Sequence, residues 1–406
     1  MTAQTLDATI GSTCVQHGEA RPAHWGGIFA MTLCVFALIA SEFMPVSLLT
    51  PMASDLHVTE GMTGQGIAIS GAFAVLTSLS ISMIAGKVNR KTLLLALTAM
   101  MCLSGAIVAL APNYLTYMVG RALIGVVVGG FWSMMAATAM QLVPSSKVPR
   151  ALAIINGGNA MATVVAAPIG SYLGSTVGWR GAFFCLVPIA VIAFAWQWFS
   201  LPSMKAQPRA LGSSNVFRLL KNRLVVLGML AIGLFFMGQF ALFTYLRPFL
   251  ETVTRVDDST FSLILLTLGV TGFIGATVIG QFLKRGVYRI LMIIPTLMAV
   301  IAAALIAFGT SETGTTVLLA VWGLVATGAP VGWWIWIART LPQDAEAGGG
   351  LMVAVVQLSI ALGSTVGGVL FDGSGYQSTF AFSAGLLLVA AFLVFLTARA
   401  DRAQSA

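Results

Sequence analysis

The stretch from Trp25 to Ser47, WGGIFAMTLCVFALIASEFMPVS, decides how the rest of the chain is read. It carries one charge, Glu42, and is long enough to cross a hydrocarbon core, which takes about 20 mostly apolar residues. Eleven stretches of the same kind follow. With the polar breaks taken as ends, the spans fall at 25–47, 61–84, 92–111, 115–141, 151–173, 180–200, 223–248, 259–283, 288–309, 314–339, 347–370 and 377–398. The predicted fold class is therefore an all-α integral membrane protein with twelve transmembrane helices. Composition agrees: the 406 residues are 58% hydrophobic and 8% charged, against roughly 25% charged in a soluble domain. Spans of this number leave room for short loops only. An extramembrane domain of about 100 residues does not fit, which excludes most membrane-anchored enzymes, receptors with ectodomains and ATP-driven pumps.

Residues 1–24 are polar, lack an apolar core and read as a cytoplasmic tail rather than a cleaved signal peptide. The basic, Pro- and Ser-containing stretch 201–222, LPSMKAQPRALGSSNVFRLLKN, reads as a cytoplasmic linker between six-helix bundles at 25–200 and 223–398, and 399–406 as a second cytoplasmic tail. With both ends inside, the cytoplasmic loops hold nearly all of the 21 Lys and Arg; Arg180, Arg247 and Arg255 lie outside and Arg121 within a span. This is the asymmetry of the positive-inside rule, and it accounts for the +8 charge without nucleic acid as a partner. An internal repeat supports two pseudo-symmetric halves. Gly170, Leu173, Gly178, Trp179 and Phe183 recur, shifted by 197 residues, as Gly367, Leu370, Gly375, Tyr376 and Phe380, and Gly130-Phe131-Trp132 recurs as Gly332-Trp333-Trp334. Two parallel six-helix repeats with a site between them at mid-membrane is an architecture of secondary transporters.

Glu42 and Arg121 are the one acid and the one cation well inside the spans. Charges at that depth are expensive and face a cavity or a partner. Glu42 has two readings, a proton carrier or a fixed structural acid where Pro45 breaks the helix. Arg121 likewise either braces helices through carbonyls or polar side chains, or modulates an acid in the same half. Removing either charge is expected to affect transport more than folding. Asn156 and Asn159 lie one turn apart in the fifth span, Gln239 and Tyr245 in the seventh, and Gln357 in the eleventh; unpartnered amides are costly when buried, so they must face a cavity, a water or each other. Trp132, Trp333, Trp334 and Trp336 either stack on a flat ligand or pack and anchor, and Phe240 and Phe243 read first as packing. Gly125 with Gly129 and Gly363 with Gly367 read as close helix contacts. Cys14, Cys34, Cys102 and Cys185 show no metal or redox spacing and read as small apolar fillers. The histidines, His17, His24 and His57, fall in the tail or a loop, no phosphate-cradling loop is present, and neither metal nor cofactor is expected.

Three segments resemble the major facilitator superfamily, in particular its twelve-span drug:proton antiporter branch. Gly86-Lys87-Val88-Asn89-Arg90-Lys91 is similar to the signature loop between the second and third spans, with Gly86 and Asn89 in the places of its Asp and Gly. Gly120-Arg121-Ala122-Leu123-Ile124-Gly125 is similar to the membrane arginine motif. Ala166-Ala167-Pro168-Ile169-Gly170-Ser171 resembles the antiporter Gly-Pro motif, with Ala167 and Ser171 replacing glycines. The runs Glu42 to Ala53, Gly238 to Pro248 and Pro330 to Trp333 further resemble the bacterial purine ribonucleoside exporters of this branch. The resemblance implies export of purine nucleosides such as inosine, adenosine or guanosine in exchange for protons, across a bacterial inner membrane. Coupling falls to Glu42 and Arg121 on the ground of their charge and depth, and the resemblance implies gating at Arg90, Pro168 and Gly170. A nucleoside asks for amides and aromatic faces in an apolar cleft, and Asn156, Asn159, Gln239, Tyr245, Gln357, Trp132 and Trp333 are the candidates. The alternatives are a multidrug or sugar efflux transporter of the same branch and, from a different class, an intramembrane enzyme, which the lack of a nucleophile–base pair or metal-ligand cluster disfavours. The expected partners are a small solute, protons and lipid, with a monomer as the working unit.

Overall fold

A computed structural model describes residues 23–85, 88–204, 216–283, 286–341 and 345–405. Among these residues the regular structure is helical throughout. The first half of the chain forms α1 (Trp25–Leu56), α2 (Glu60–Ala85), α3 (Arg90–Ala109), α4 (Tyr114–Leu142) and α5 (Val148–Ser200), with a 3-10 turn at Ser145–Lys147. The second forms α6 (Val216–Leu219), α7 (Arg223–Phe243), α8 (Leu246–Phe249), a π-helical turn at Leu250–Thr254, α9 (Asp258–Leu283), α10 (Val287–Phe308), α11 (Glu312–Ala326), α12 (Gly328–Thr340) and α13 (Ala345–Ser405). Ten stretches among the described residues are long and apolar enough to cross a membrane, α11 and α12 together forming one of them.

Polar residues at the turns set the helix starts. Asn89, Asn113, Asn222 and Ser311 each accept, through the side chain, a backbone N–H of the first turn of α3, α4, α7 and α11, satisfying donors that have no partner within the helix. The expected break at Pro45 is absent: α1 continues through Pro45 and Pro51 to Leu56, and His57 ends it in the left-handed region at φ 55°. Proline has no N–H, so the carbonyls four residues earlier, on Ser41 and Ser47, lose their helical donor. Arginines from α4 and α8 supply it.

At about 1.5 Å per residue, straight helices as long as α5 (53 residues) and α13 (61 residues) would far exceed a hydrocarbon core of about 30 Å. Each is broken part-way by a glycine, Gly178 (φ 75°, ψ 164°) in α5 and Gly375 (φ 78°, ψ 179°) in α13. These are the two positions that the repeat brings into register. The aromatic pairs behind the breaks repeat as well: Trp179 meets Phe183 edge-on at 6.4 Å and 85°, and Tyr376 meets Phe380 at 5.8 Å and 82°.

The apolar core follows the chain halves. One cluster draws its buried members from Leu219 to Val394, and two draw theirs from Ile28 to Met204. A small fourth cluster joins them, with Val46 and Ile67 from the first half and Phe240 and Ile360 from the second. Gly125 and Gly129 of α4 lie where a Cβ would sit 2.2 Å from the carbonyl oxygens of Ser70 and Ala74 on α2, so both serve close packing. Gly363 and Gly367 do the same against the backbone of Met237 and Ala241 on α7. The linker begins as packed chain: Met204 donates its N–H to Asn89 Oδ1 (3.2 Å) and accepts from the Arg90 N–H (3.1 Å). The rest of it up to residue 215, both tails except for residues 23–24 and 399–405, and Gly86 and Lys87 of the signature-like loop lie outside the described residues.

Candidate functional site

Glu42 sits on α1 between Ser41 and Phe43 and is buried. Gln357 of α13, from the other half of the chain, donates its Nε2 to Glu42 Oε1 at 3.3 Å. Arg121 of α4 is fully buried and directs its guanidinium at backbone rather than at the acid. Nη1 donates to the Ser41 carbonyl (2.7 Å), Nη2 to the Glu42 carbonyl (2.9 Å) and Nε to the Gly66 carbonyl of α2 (3.0 Å). Of the two readings of Arg121, the geometry is that of the brace. Three helices are fastened by one side chain, and the Ser41 oxygen that Pro45 leaves without a donor receives one. Beside it, Tyr117 donates its hydroxyl to the Thr63 carbonyl at 3.2 Å.

A second arginine repeats the device between the halves. Arg247, on α8, donates Nη1 to the Ser47 carbonyl, which Pro51 frees as Pro45 frees Ser41. The same guanidinium meets Glu251 Oε1 at 2.6 Å and Asp258 Oδ1 at 3.0 Å, and lies over the Phe261 ring at 4.8 Å. Sequence reading counted Arg247 only as an outer-loop charge. The signal for it was the spacing Ser47 to Pro51, which leaves one buried carbonyl open. Asp372 was missed as well. It accepts from Thr59 Oγ1 (2.6 Å) and from the Gly61 N–H (3.0 Å), so a carboxylate of the second half caps the N-terminus of α2 in the first. Ser262 of α9 donates to Ser171 of α5 at 3.0 Å. These ties lie at the end of the bundle that carries the 57–59 turn, and the Glu42–Gln357 bond lies deeper, along α1 and α13.

The other expected site residues divide. Tyr245 is fully buried, donates to the Ser364 carbonyl (2.7 Å) and stacks on Phe371 at 5.3 Å. Its hydroxyl fills a notch left by Gly64 and Gly368, where a Cβ on either would stand 2.3 Å away, so it pins α2 to α13. Gln239 keeps its Oε1 buried without a hydrogen-bond partner. Asn156 is exposed and folds its Nδ2 back to the Leu152 carbonyl at 3.0 Å, while Asn159 is half-buried one turn on. Trp132 packs on the first-half core, and Trp333 is buried in the second-half core with an unpartnered indole N–H, edge-on to Trp336 at 5.7 Å. Pro168 is buried in α5, and a Cβ on Gly170 would lie 2.8 Å from Ser47 Oγ, so that glycine admits α1. Arg90 opens α3, half-buried, with Nε unpartnered.

The profile of the Major Facilitator Superfamily matches residues 31–353, more than half of the chain. The chain belongs to the major facilitator superfamily. Among relatives of this superfamily member, a Pseudomonas aeruginosa protein named transcription regulatory protein OpdE is 64% identical over 402 residues, covering 98% of each chain. Proteins of Salmonella paratyphi B and Salmonella typhimurium named purine ribonucleoside efflux pump NepI are 40% identical over 377 residues, covering 93% of this chain and 94% of theirs. Two solved structures share the fold at 14% identity. The nucleoside transporter NupG, crystallised as a mutant, has a TM-score of 0.76 and covers 91% of this chain and 99% of its own, and a D-xylose-proton symporter has 0.77, with 92% and 98%. The all-helical, multi-pass architecture read from the sequence is thus that of a major facilitator membrane transporter.

Proposed function

We propose that this chain is a proton-coupled antiporter that exports purine nucleosides such as inosine, adenosine or guanosine from a bacterial cell by alternating access. In this reading it crosses the inner membrane twelve times, as two six-helix bundles with both termini in the cytoplasm, and works as a monomer. The breaks at Gly178 and Gly375 support the twelve crossings, each dividing one long helix into two spans. The division of the core by chain half supports the two bundles.

One observation carries the coupling: Glu42, the acid buried in α1, accepts a hydrogen bond from Gln357 of the other half. Ionised, it holds the two bundles together at its depth. Taking up a proton replaces one of its acceptor sites with a donor and changes that tie, so protonation and the arrangement of the bundles are linked. The ties of Arg247 and Asp372 close the outer end, and substrate enters from the cytoplasm.

The test uses purified protein in liposomes with an imposed pH gradient, labelled inosine outside, and Glu42→Gln in parallel. Accumulation driven by acid inside and abolished in Glu42→Gln, with inosine exchange at equal pH retained, is expected. Folded protein that carries no inosine sinks the nucleoside reading in favour of drug or sugar efflux. Gradient-independent flux in both proteins makes the carrier a facilitator and Glu42 structural.

A further inference from the structure

Around the Glu42–Gln357 bond the two halves meet through aromatic rings. Phe43, next to Glu42 on α1, stacks on Phe240 of α7 with centroids 5.6 Å apart and planes 28° from parallel. Phe240 also meets Phe243 edge-on at 5.8 Å and 81°. Val46, Ile67, Val356 and Ile360 complete an apolar surround drawn from α1, α2 and α13. Into it comes one polar acceptor without a donor. Gln357 is 7% exposed, spends an N–H on Glu42, and keeps its Oε1 buried and unpartnered. A buried carbonyl oxygen without a donor is unfavourable until something supplies one.

We infer that Phe43 and Phe240 form the slot that holds the substrate's base, with Gln357 Oε1 reading the base edge. This deepens the nucleoside reading and rests on it. A purine offers two flat faces to phenyl rings. Its edge carries N–H donors, at ring nitrogen in hypoxanthine and guanine and at the exocyclic amine in adenine and guanine, and these are what Gln357 Oε1 lacks. Ribose offers hydroxyls but no flat face, so it does not compete for this slot. The walls belong to different halves, and the ring pair closes on itself when no base separates it. Occupancy therefore bears on how the halves meet, one residue from the acid that carries the proton. In this proposal Phe240 has a role beyond the packing in which it sits, and phenylalanines take the part sought among Trp132 and Trp333.

The experiment is exchange of labelled inosine at equal pH in proteoliposomes, with hypoxanthine and ribose as competitors. Hypoxanthine is expected to inhibit and ribose at the same concentration not to. Phe43→Leu and Phe240→Leu should each raise the half-saturating inosine concentration by about tenfold, the loss of a base–aromatic stack, whereas Phe43→Tyr and Phe240→Tyr should stay near wild type. Inhibition by ribose but not hypoxanthine overturns the slot, as do monodisperse Leu variants that saturate at the wild-type concentration. Should a Leu variant not fold, the wild-type competition and the Tyr variants decide alone. Folded wild type that exchanges no inosine removes the nucleoside reading and the slot with it; exchange that hypoxanthine leaves untouched removes only the slot.

Discussion

Arg121 shows how one side chain reconciles helix chemistry with lipid. A charge inside a span is tolerated where it is solvated by protein, and three carbonyls do that here. This adds a folding cost to the expectation that its removal affects transport more than folding. Arg121→Ala leaves the Ser41 carbonyl without a donor at a cost of about 1–3 kcal/mol. It should lower the thermal midpoint in detergent, followed by tryptophan fluorescence, while Glu42→Gln should leave that midpoint nearly unchanged. Equal midpoints for Arg121→Ala and wild type would show the brace to be dispensable. That Glu42 and Arg121 mattered was legible, because each is alone in its charge within the spans. A brace through carbonyls was one of the two readings of Arg121; which carbonyls it reaches was not legible. A carbonyl loses its donor to a proline four residues on, but which distant side chain then reaches it depends on helix packing that one strand of sequence does not encode.

Among the elements, α1 carries the heaviest duty, since both of its prolines free a carbonyl that an arginine occupies. The two arginines differ in what they join. Arg121 fastens helices of the same half, and Arg247 fastens α8 to α1 across the halves. Pro51→Ala gives Ser47 a helical N–H again and weakens the hold of Arg247, and Asp372→Ala uncaps α2. Both should bias the protein toward opening at the 57–59 end. Ile67→Cys, placed at a buried joint between the halves on a background without other cysteines, reads this out. Its labelling by an impermeant thiol reagent added outside should quicken severalfold in either variant. Unchanged labelling in both would mean that these ties do not govern access. The helices themselves were readable from apolar runs bounded by polar breaks. The first span was ended at Ser47 whereas α1 runs on to Leu56, because a proline within a helix is tolerated where another donor meets the carbonyl it exposes.

For the molecule as a whole, the repeat is the feature most open to measurement. Gly178 and Gly375 adopt a backbone region with positive φ and extended ψ that is nearly closed to residues with a Cβ. Gly178→Ala and Gly375→Ala should each destabilise by about 1–3 kcal/mol, and the double variant by close to the sum, as expected for separate sites. Thermal unfolding of the four proteins checks this, and a double variant no worse than either single would tell against independent breaks. The paired glycines were visible as a shift of 197 residues in the sequence, but periodicity alone does not say that a glycine interrupts a helix rather than packs within it. The halves, once built, complete each other in a fixed order of synthesis. The α2 terminus that Asp372 caps lies 311 residues earlier in the chain, so at 5–20 residues per second the ribosome leaves it open for about 15–60 s. Through that interval the first half must persist in the bilayer on its own core and its Arg121 brace, as a nascent half whose end at the 57–59 turn still awaits its lid.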